Sequence, residues 1–338
     1  MGVCLRRWLA LAAVAAILAA VALTWHARRA EVVELRVGHL LADELHQPGW
    51  CVAEELGYIE EEGFKAVHFE YAHGPEEMLH FAAGELDVAY VGAVPFLRAR
   101  AKGVDIVAVA SSNTEGSALV VSAEIKSVKD LDGKRIGTPG IGTIQNYMLN
   151  VVEEKWGVKL ERRHYKVTEL IKLFEKGEID GYIAWEPHAS RAVYMGIRGA
   201  HILLTSRDLL PGHQCCVVAV RGDWIRERPD LVLRIVRWHV KAMKWVNEHP
   251  EEAEKVIARY SGLDIELIKM AHRIVKHPYP PYLHLESMKI MLRGLIEAGD
   301  LTPEEVGDLD EFLREAVDQS FIEQAVRGLQ LELRWLMR

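Results

Sequence analysis

Between residue 31 and about residue 204, short runs rich in β-branched and aromatic residues alternate with stretches whose apolar positions recur every three or four residues. The runs predict strands at 33–39, 66–71, 88–90, 106–112, 117–122, 135–138, 161–165 and 181–185. The stretches between them predict helices at 47–62, 75–83, 94–102, 143–156, 167–176 and 187–195. Pro75 and Pro187 suit first helical turns, and Gly63, Gly84, Gly103, Gly157 and Gly177 suit helix stops. Strands and helices in this alternation argue for an α/β fold with parallel, doubly wound sheets. After the apolar run 215–220 the pattern turns helical, at 231–248, 250–260, 265–274, 285–298 and 303–318, with a further helix over 319–338. No internal repeat or low-complexity linker is visible.

Two short apolar strands, 117–122 and 215–220, bracket a block that is itself α/β. A chain that crosses to a second lobe and returns through two strands makes a hinged pair of lobes with a cleft between them. On this reading residues 31–115 begin lobe 1, 116–214 form lobe 2, and 215–338 return to lobe 1 and add the helical C-terminal part. Ligands bind in such crevices, at the carboxyl ends of strands, and a hinge allows closure around a solute.

The N-terminus changes where this fold is expected to work. Arg6 and Arg7 precede residues 8–25, which carry no charge, and Arg28 and Arg29 follow. About 18 apolar residues behind a basic start read as an export signal that just reaches spanning length. No small-residue cleavage pattern precedes Glu31, so residues 1–30 are expected to be an uncleaved membrane anchor rather than a removed signal. The location is extracytoplasmic in either case. Subtracting those four arginines from the net charge of −8 leaves −12 for the remainder, which argues against nucleic acid as a partner. The four cysteines are Cys4, Cys51, Cys215 and Cys216, without a CxxC pair; a Cys51–Cys215 disulfide is open. Along a regular strand Cys215 and Cys216 alternate, one towards the core and one away.

Five segments carry a family resemblance. They are 49–64 (GWCVAEELGYIEEEGF), 78–92 (MLHFAAGELDVAYVG), 128–137 (VKDLDGKRIG), 178–181 (EIDG) and 185–187 (WEP), in this order along the chain. Residues 33–220 resemble the periplasmic substrate-binding proteins of nitrate, sulfonate and taurine ABC importers and their thiamine-pyrimidine relatives. The resemblance implies a type II two-lobed periplasmic binding fold and the partners of such a protein: a small solute, a permease and its ATPase subunits. It implies a monomer, no catalysis and no cofactor. It also implies ligand-binding positions after the first strand (His39, Leu40, His46, Gln47), at the next glycine turn (Gly92, Ala93), at the crossover (Ser112) and on the second lobe (Thr143, Trp185, Glu186, His188), with His213 leading into the return strand.

The residues themselves leave the ligand open. Tyr90-Val91-Gly92-Ala93 and Gly140-Ile141-Gly142-Thr143 are tight turns into helices, where backbone N–H groups can approach an anion. Glycine turns of this kind also arise from geometry alone. Histidines and Trp185 suit hydrogen bonding to, or stacking on, a heteroaromatic solute. No Arg or Lys falls at an obvious cleft position, which disfavours nitrate. His, Glu and Cys from separate segments also suit a borderline metal such as zinc, nickel or copper, although no pair has tight metal-ligand spacing. His68, His80, His164, His239, His249 and His272 read as surface or helix-face residues. An enzyme on the same architecture, like the thiamine-pyrimidine synthases or ATP phosphoribosyltransferases, is the alternative class. It lacks a nucleophile–base–orienter order here. A sensor ectodomain is a third.

Overall fold

Hydrophobic strands with β-branched cores build two separate sheets. The computed structural model describes residues 32–336, so the predicted N-terminal anchor and Cys4 lie outside the described residues. The chain opens with β1 (Val33–Leu40), α1 (Pro48–Glu55), β2 (Phe64–Tyr71), α2 (Gly74–Ala82), β3 (Val88–Gly92), α3 (Ala93–Ala101) and β4 (Ile106–Glu115). It crosses into β5 (Ser117–Val121), β6 (Arg135–Thr138), α4 (Ile144–Trp156), β7 (Glu161–His164), α5 (Val167–Glu175), β8 (Gly181–Trp185) and β9 (His201–Thr205). It returns through β10 (Gln214–Arg221) to α6 (Pro229–Glu248), α7 (Pro250–Ser261), β11 (Val275–Lys276), α8 (Leu285–Glu297) and α9 (Ser320–Leu336). Among the described residues no helix is long and apolar enough to cross a membrane.

The first sheet has six strands in the order β11-β4-β10-β3-β1-β2, and the second has five in the order β7-β6-β8-β5-β9. β1, β2 and β3 run parallel, as do β6, β7 and β8, while β10 and β5 insert antiparallel. One face of the first sheet buries Leu35 and Val37 against α1, α6 and the start of α9. The other face packs on α2 and α3 and is continuous with the core of the second sheet. The chain passes between the sheets at Glu115 and Gly116, both in the left-handed region at φ 59° and 97°. The returning segment runs alongside. Glu115 N–H donates to the His213 carbonyl, and the Glu115 carboxylate accepts from Arg207 and from Gly212 N–H.

Each sheet uses the same device, which the sequence reading passed over as an absence of repeats. In the first, the Asp87 carboxylate accepts from the backbone N–H, Nε and Nη2 of Arg36, whose Nη1 donates to the Gly84 carbonyl. In the second, Asp180 does the same for Arg135, and Arg135 Nη2 also reaches the Gly177 carbonyl. The segments Gly84-Glu85-Leu86-Asp87 and Gly177-Glu178-Ile179-Asp180 therefore each tie the turn after a helix to the neighbouring parallel strand.

Several expected elements are redrawn. The helix expected over 47–62 breaks at Gly57, which sits at φ 72°, into α1 and Tyr58–Glu61. The helix expected over 303–318 breaks at Gly307 into Pro303–Val306 and Leu309–Ala316. No helix starts at Pro187. The Glu186–Pro187 peptide is cis, and residues 186–190 form a turn in which Tyr182 Oη donates to the His188 and Ala189 carbonyls. The half-buried edge strand β9 and the two-residue β11 were not expected, because neither carries a long apolar run. His239 lies on the buried face of α6, held between Tyr90 Oη at 2.8 Å and the Ser111 carbonyl at 2.9 Å.

Candidate functional site

The parallel strands β1, β3 and β8 end at Leu40, Gly92 and Trp185, and these three residues line one small cavity between the sheets. Its walls come from both sides: Asp43, His46, Gly74, Pro95, Cys215 and Cys216 with the first sheet, and Thr143, Ile144 and Gln145 with the second. Its free volume is about 30 Å³, enough for roughly two waters, and it is partly open. Three helices, α2, α3 and α4, begin at or beside the wall, so the positive ends of their dipoles lie near it. No Lys or Arg lines the cavity. Larger concavities of about 920 and 930 Å³ lie elsewhere, one between α4 and α8 and one around α7 and β11. Both are open and lined largely by exposed or half-buried charged side chains, whereas the interlobe cavity gathers buried titratable groups.

The strand β10 does not alternate regularly where it meets this cavity. Gln214 pairs with Thr114 and Cys216 with Asn113, so Cys215 is an extra residue opposite a single step of β4. Such a bulge re-aims a side chain. Here it turns both thiols to the same place, with Cys215 Sγ 3.9 Å from Cys216 Sγ and 3.4 Å from His46 Nδ1. The expectation of one thiol inward and one outward is thereby corrected. Cys51, Cys215 and Cys216 are free thiols, and Cys51 lies in the core on the opposite sheet face, so no Cys51–Cys215 disulfide forms. The Cys215 thiol is drawn well below its ordinary value by a hydrogen bond with Cys216 and by neighbouring His46 and His213, against the effect of burial. Cys216 is correspondingly pushed up.

Asp43, which the sequence reading did not single out, is fully buried beside this group, its Oδ1 4.0 Å from His46 Nδ1 and without a hydrogen-bond partner. Burial, with Cys215 nearby, raises its carboxyl well above the usual range. His46 Nε2, Trp185 Nε1, His188 Nε2 and His213 Nε2 are also buried without a partner. Orphaned buried polar atoms are rare in folded proteins. Three of them, on Asp43, His46 and Trp185, belong to residues that line this one cavity, which marks it as a place built to receive something.

The other expected residues fall differently. His39 points to the opposite face of the first sheet, stacked on Trp50 at 4.2 Å and held neutral by burial with its pKa down to about 3. Gln47 bridges Leu40 N–H and the Tyr90 carbonyl, and Ser112 Oγ donates to the His46 carbonyl, so both position the first loop. Ala93 is core. Thr143 caps α4, accepting from Asn146 N–H while donating to the Gly140 carbonyl. Glu186 accepts from Ser190 N–H and Oγ, and burial raises its pKa to about 8. His188 meets Trp185 edge-on at 5.7 Å, bonds the Leu41 backbone across the cleft, and is lowered by burial to about 4. His213 Nδ1 pairs with the Leu210 carbonyl.

The sequence matches the model of the NMT1-like family over residues 28–261. A putative aliphatic sulfonates-binding protein of Bacillus subtilis is 28% identical over 233 residues, covering 64% of this chain and 68% of that protein. The taurine-binding periplasmic protein of Escherichia coli is 25% identical over 257 residues, covering 72% and 77%. The crystal structure of the periplasmic nitrate-binding protein of Synechocystis PCC 6803 superposes with a TM-score of 0.78 at 13% identity, covering 89% of this chain and 90% of that one.

Proposed function

From the premise that the chain belongs to the NMT1-like family, we propose that it is the extracytoplasmic solute-binding component of an ABC importer. One observation carries this reading: a cavity walled by both sheets at the carboxyl ends of β1, β3 and β8, bordered by unpartnered buried polar atoms. Sulfonate- and taurine-binding relatives over most of the chain support it. Residues 31–115 and 215–338 form lobe 1 and 116–214 form lobe 2, joined by the crossover at Glu115–Gly116 and the return before β10. The solute seats between the lobes, the lobes close, and the loaded protein docks on a permease. Leu40, His46, Gly92, Thr143 and Trp185 contact the solute, while Gln47, Ser112, Glu186 and His188 hold the loops that present them. Residues 1–30 hold the protein to the outer face of a membrane.

Binding is assigned rather than turnover, because Asp43 and Cys215 face the same nitrogen of His46, which is not the order of a catalytic relay. Full-length chain in detergent, screened by thermal shift against sulfonates, taurine, nitrate, pyrimidines and metal ions, tests it. A specific solute at a hundredfold its Kd is expected to stabilise by about 2.7 kcal/mol and to be recovered unchanged. Conversion of the solute into a product would replace binding with catalysis.

A further inference from the structure

The cavity wall carries two thiols, an imidazole and a carboxyl, and no cationic side chain. We propose that the cleft takes a single zinc-class transition-metal ion, bound by His46, Cys215 and Cys216 with Asp43 as fourth donor, and that this ion is the captured solute. The inference rests on the solute-capture reading and gives it a ligand class.

Three donors already stand at distances that suit one ion. One ligand atom from each of His46, Cys215 and Cys216 lies within 4.8 Å of the other two. Tetrahedral zinc, with bonds of about 2.3 Å to sulfur and about 2.05 Å to nitrogen, sets edges of about 3.8 Å between two sulfurs and about 3.6 Å between sulfur and nitrogen. The thiols stand 3.9 Å apart and His46 Nδ1 stands 3.4 Å from Cys215 Sγ. Asp43 Oδ1 lies 4.0 Å from the same nitrogen, buried and without a hydrogen-bond partner; it stands outside the three-donor group and would have to move towards the sulfurs to supply the fourth bond.

Two other uses of these groups fit less well. A Cys–His nucleophile needs its orienting acid on the imidazole nitrogen away from the thiol. Asp43 instead faces Nδ1, the nitrogen that faces Cys215, and Nε2 has no partner. His46, Cys215 and Cys216 gather about one point and do not line up. An organic anion would meet the helix starts, but it would leave the two thiols and the imidazole that face one another without a use. Two thiolates and imidazole are a donor set for zinc or copper(I) and a poor one for calcium or magnesium.

All four donors belong to the first sheet and its loops, so the ion seats there before Trp185, Thr143 and Gln145 close over it. Each thiol gives up its proton as its bond to the metal forms. A second group, His39, Glu44 and Glu70, also gathers metal-type donors but contains no sulfur, which makes the two distinguishable by spectroscopy.

The test uses full-length chain purified in detergent with reductant, stripped of metal and titrated with cobalt(II), then with zinc(II). The expected result is one cobalt per chain with a thiolate-to-cobalt charge-transfer band and tetrahedral visible bands, displaced by zinc. The band is lost in the Cys215→Ser/Cys216→Ser double variant and kept in His39→Ala. Should the double variant not fold, Cys215→Ser alone is expected to lower the band by about half, and His46→Ala to weaken zinc by about 10–100-fold or more. Cobalt binding without the band, a band that survives loss of the thiols, or a metal-free Cys215–Cys216 disulfide in protein taken from its own compartment would overturn the proposal. If any of these occurs while an organic solute still stabilises the chain, only the metal assignment falls. If no solute of any kind stabilises it, the solute-capture reading falls as well.

Discussion

At the scale of single residues, two histidines in one loop region have opposite fates, and the difference is testable. His39 stacks on Trp50 away from the cavity, whereas His46 lines it. His39→Ala should cost about 1–3 kcal/mol of stability through the space it leaves, with solute affinity of the folded protein unchanged. His46→Ala should remove most affinity at a smaller stability cost. Denaturant unfolding and ligand titration on both variants check this. Leu40, His46, Gly92, Thr143 and Trp185, expected as ligand contacts from the sequence, all line the cavity; the family segments carry Gly92 and Trp185, while Leu40, His46 and Thr143 follow from the loops after the first strand and before the helix at 144. It hid Asp43, an unremarkable loop acid in sequence, and it hid the pairing of Cys215 with Cys216. A bulge shifts alternation by one residue without any local sequence mark. His39 was misplaced because its direction depends on the pleat of β1, on which it shares a face with Leu35 and Val37.

Glu186 supplies a pH prediction at the same scale. Its carboxyl titrates at about 8 in the fold because of burial, against an ordinary value of 4.5. The folded state therefore holds a proton that the unfolded chain has lost between those values, so this group's contribution to stability falls as pH rises from about 4.5 to about 8. His39 and His188, lowered by burial, act in the opposite sense below about pH 6.5, so the comparison must be with a variant and not across pH alone. Glu186→Gln should gain on the native protein by about 1–4 kcal/mol between pH 5 and pH 8, read from denaturation curves at both values.

At the scale of elements, the crossover and the paired Arg–Asp devices set how the lobes hold together. Gly116 sits at φ 97°, and a Cβ there would stand 2.7 Å from His46 Cε1 and Nε2 and 3.0 Å from Val275 Cγ2. Gly116→Ala is expected to lose at least about 1 kcal/mol to backbone strain and to push His46 out of register, so that Tm and ligand affinity fall together. Asp87→Ala would leave the Arg36 backbone N–H and guanidinium without their acceptor. With Arg36 about one-third exposed, the expected loss is about 1–3 kcal/mol, and Asp180→Ala should behave alike in the second sheet. The alternation of strands and helices was readable because parallel strands buried on both faces leave apolar runs. The edge strand β9 was not, since it is only half buried and its pattern is weak. The turn at 186–190 escaped because its shape is set by Tyr182 and Ser190, contacts that a proline signal does not report.

At the scale of the molecule, two sheets joined by neighbouring crossing segments border a cavity rich in donor atoms. The Glu115–Arg207 pair spans the crossing segments and ties the place where they bend. A protein of this form works by holding its solute between halves that close on it, and the cavity residues come from both halves. Calorimetric titration of the full-length chain with the solute found by thermal shift tests that most directly, run in parallel on His46→Ala, Trp185→Ala and His39→Ala. The account predicts one site per chain, strongly weakened by either cavity substitution and retained in His39→Ala; equal affinity in all four proteins would place the solute outside the cleft and contradict it.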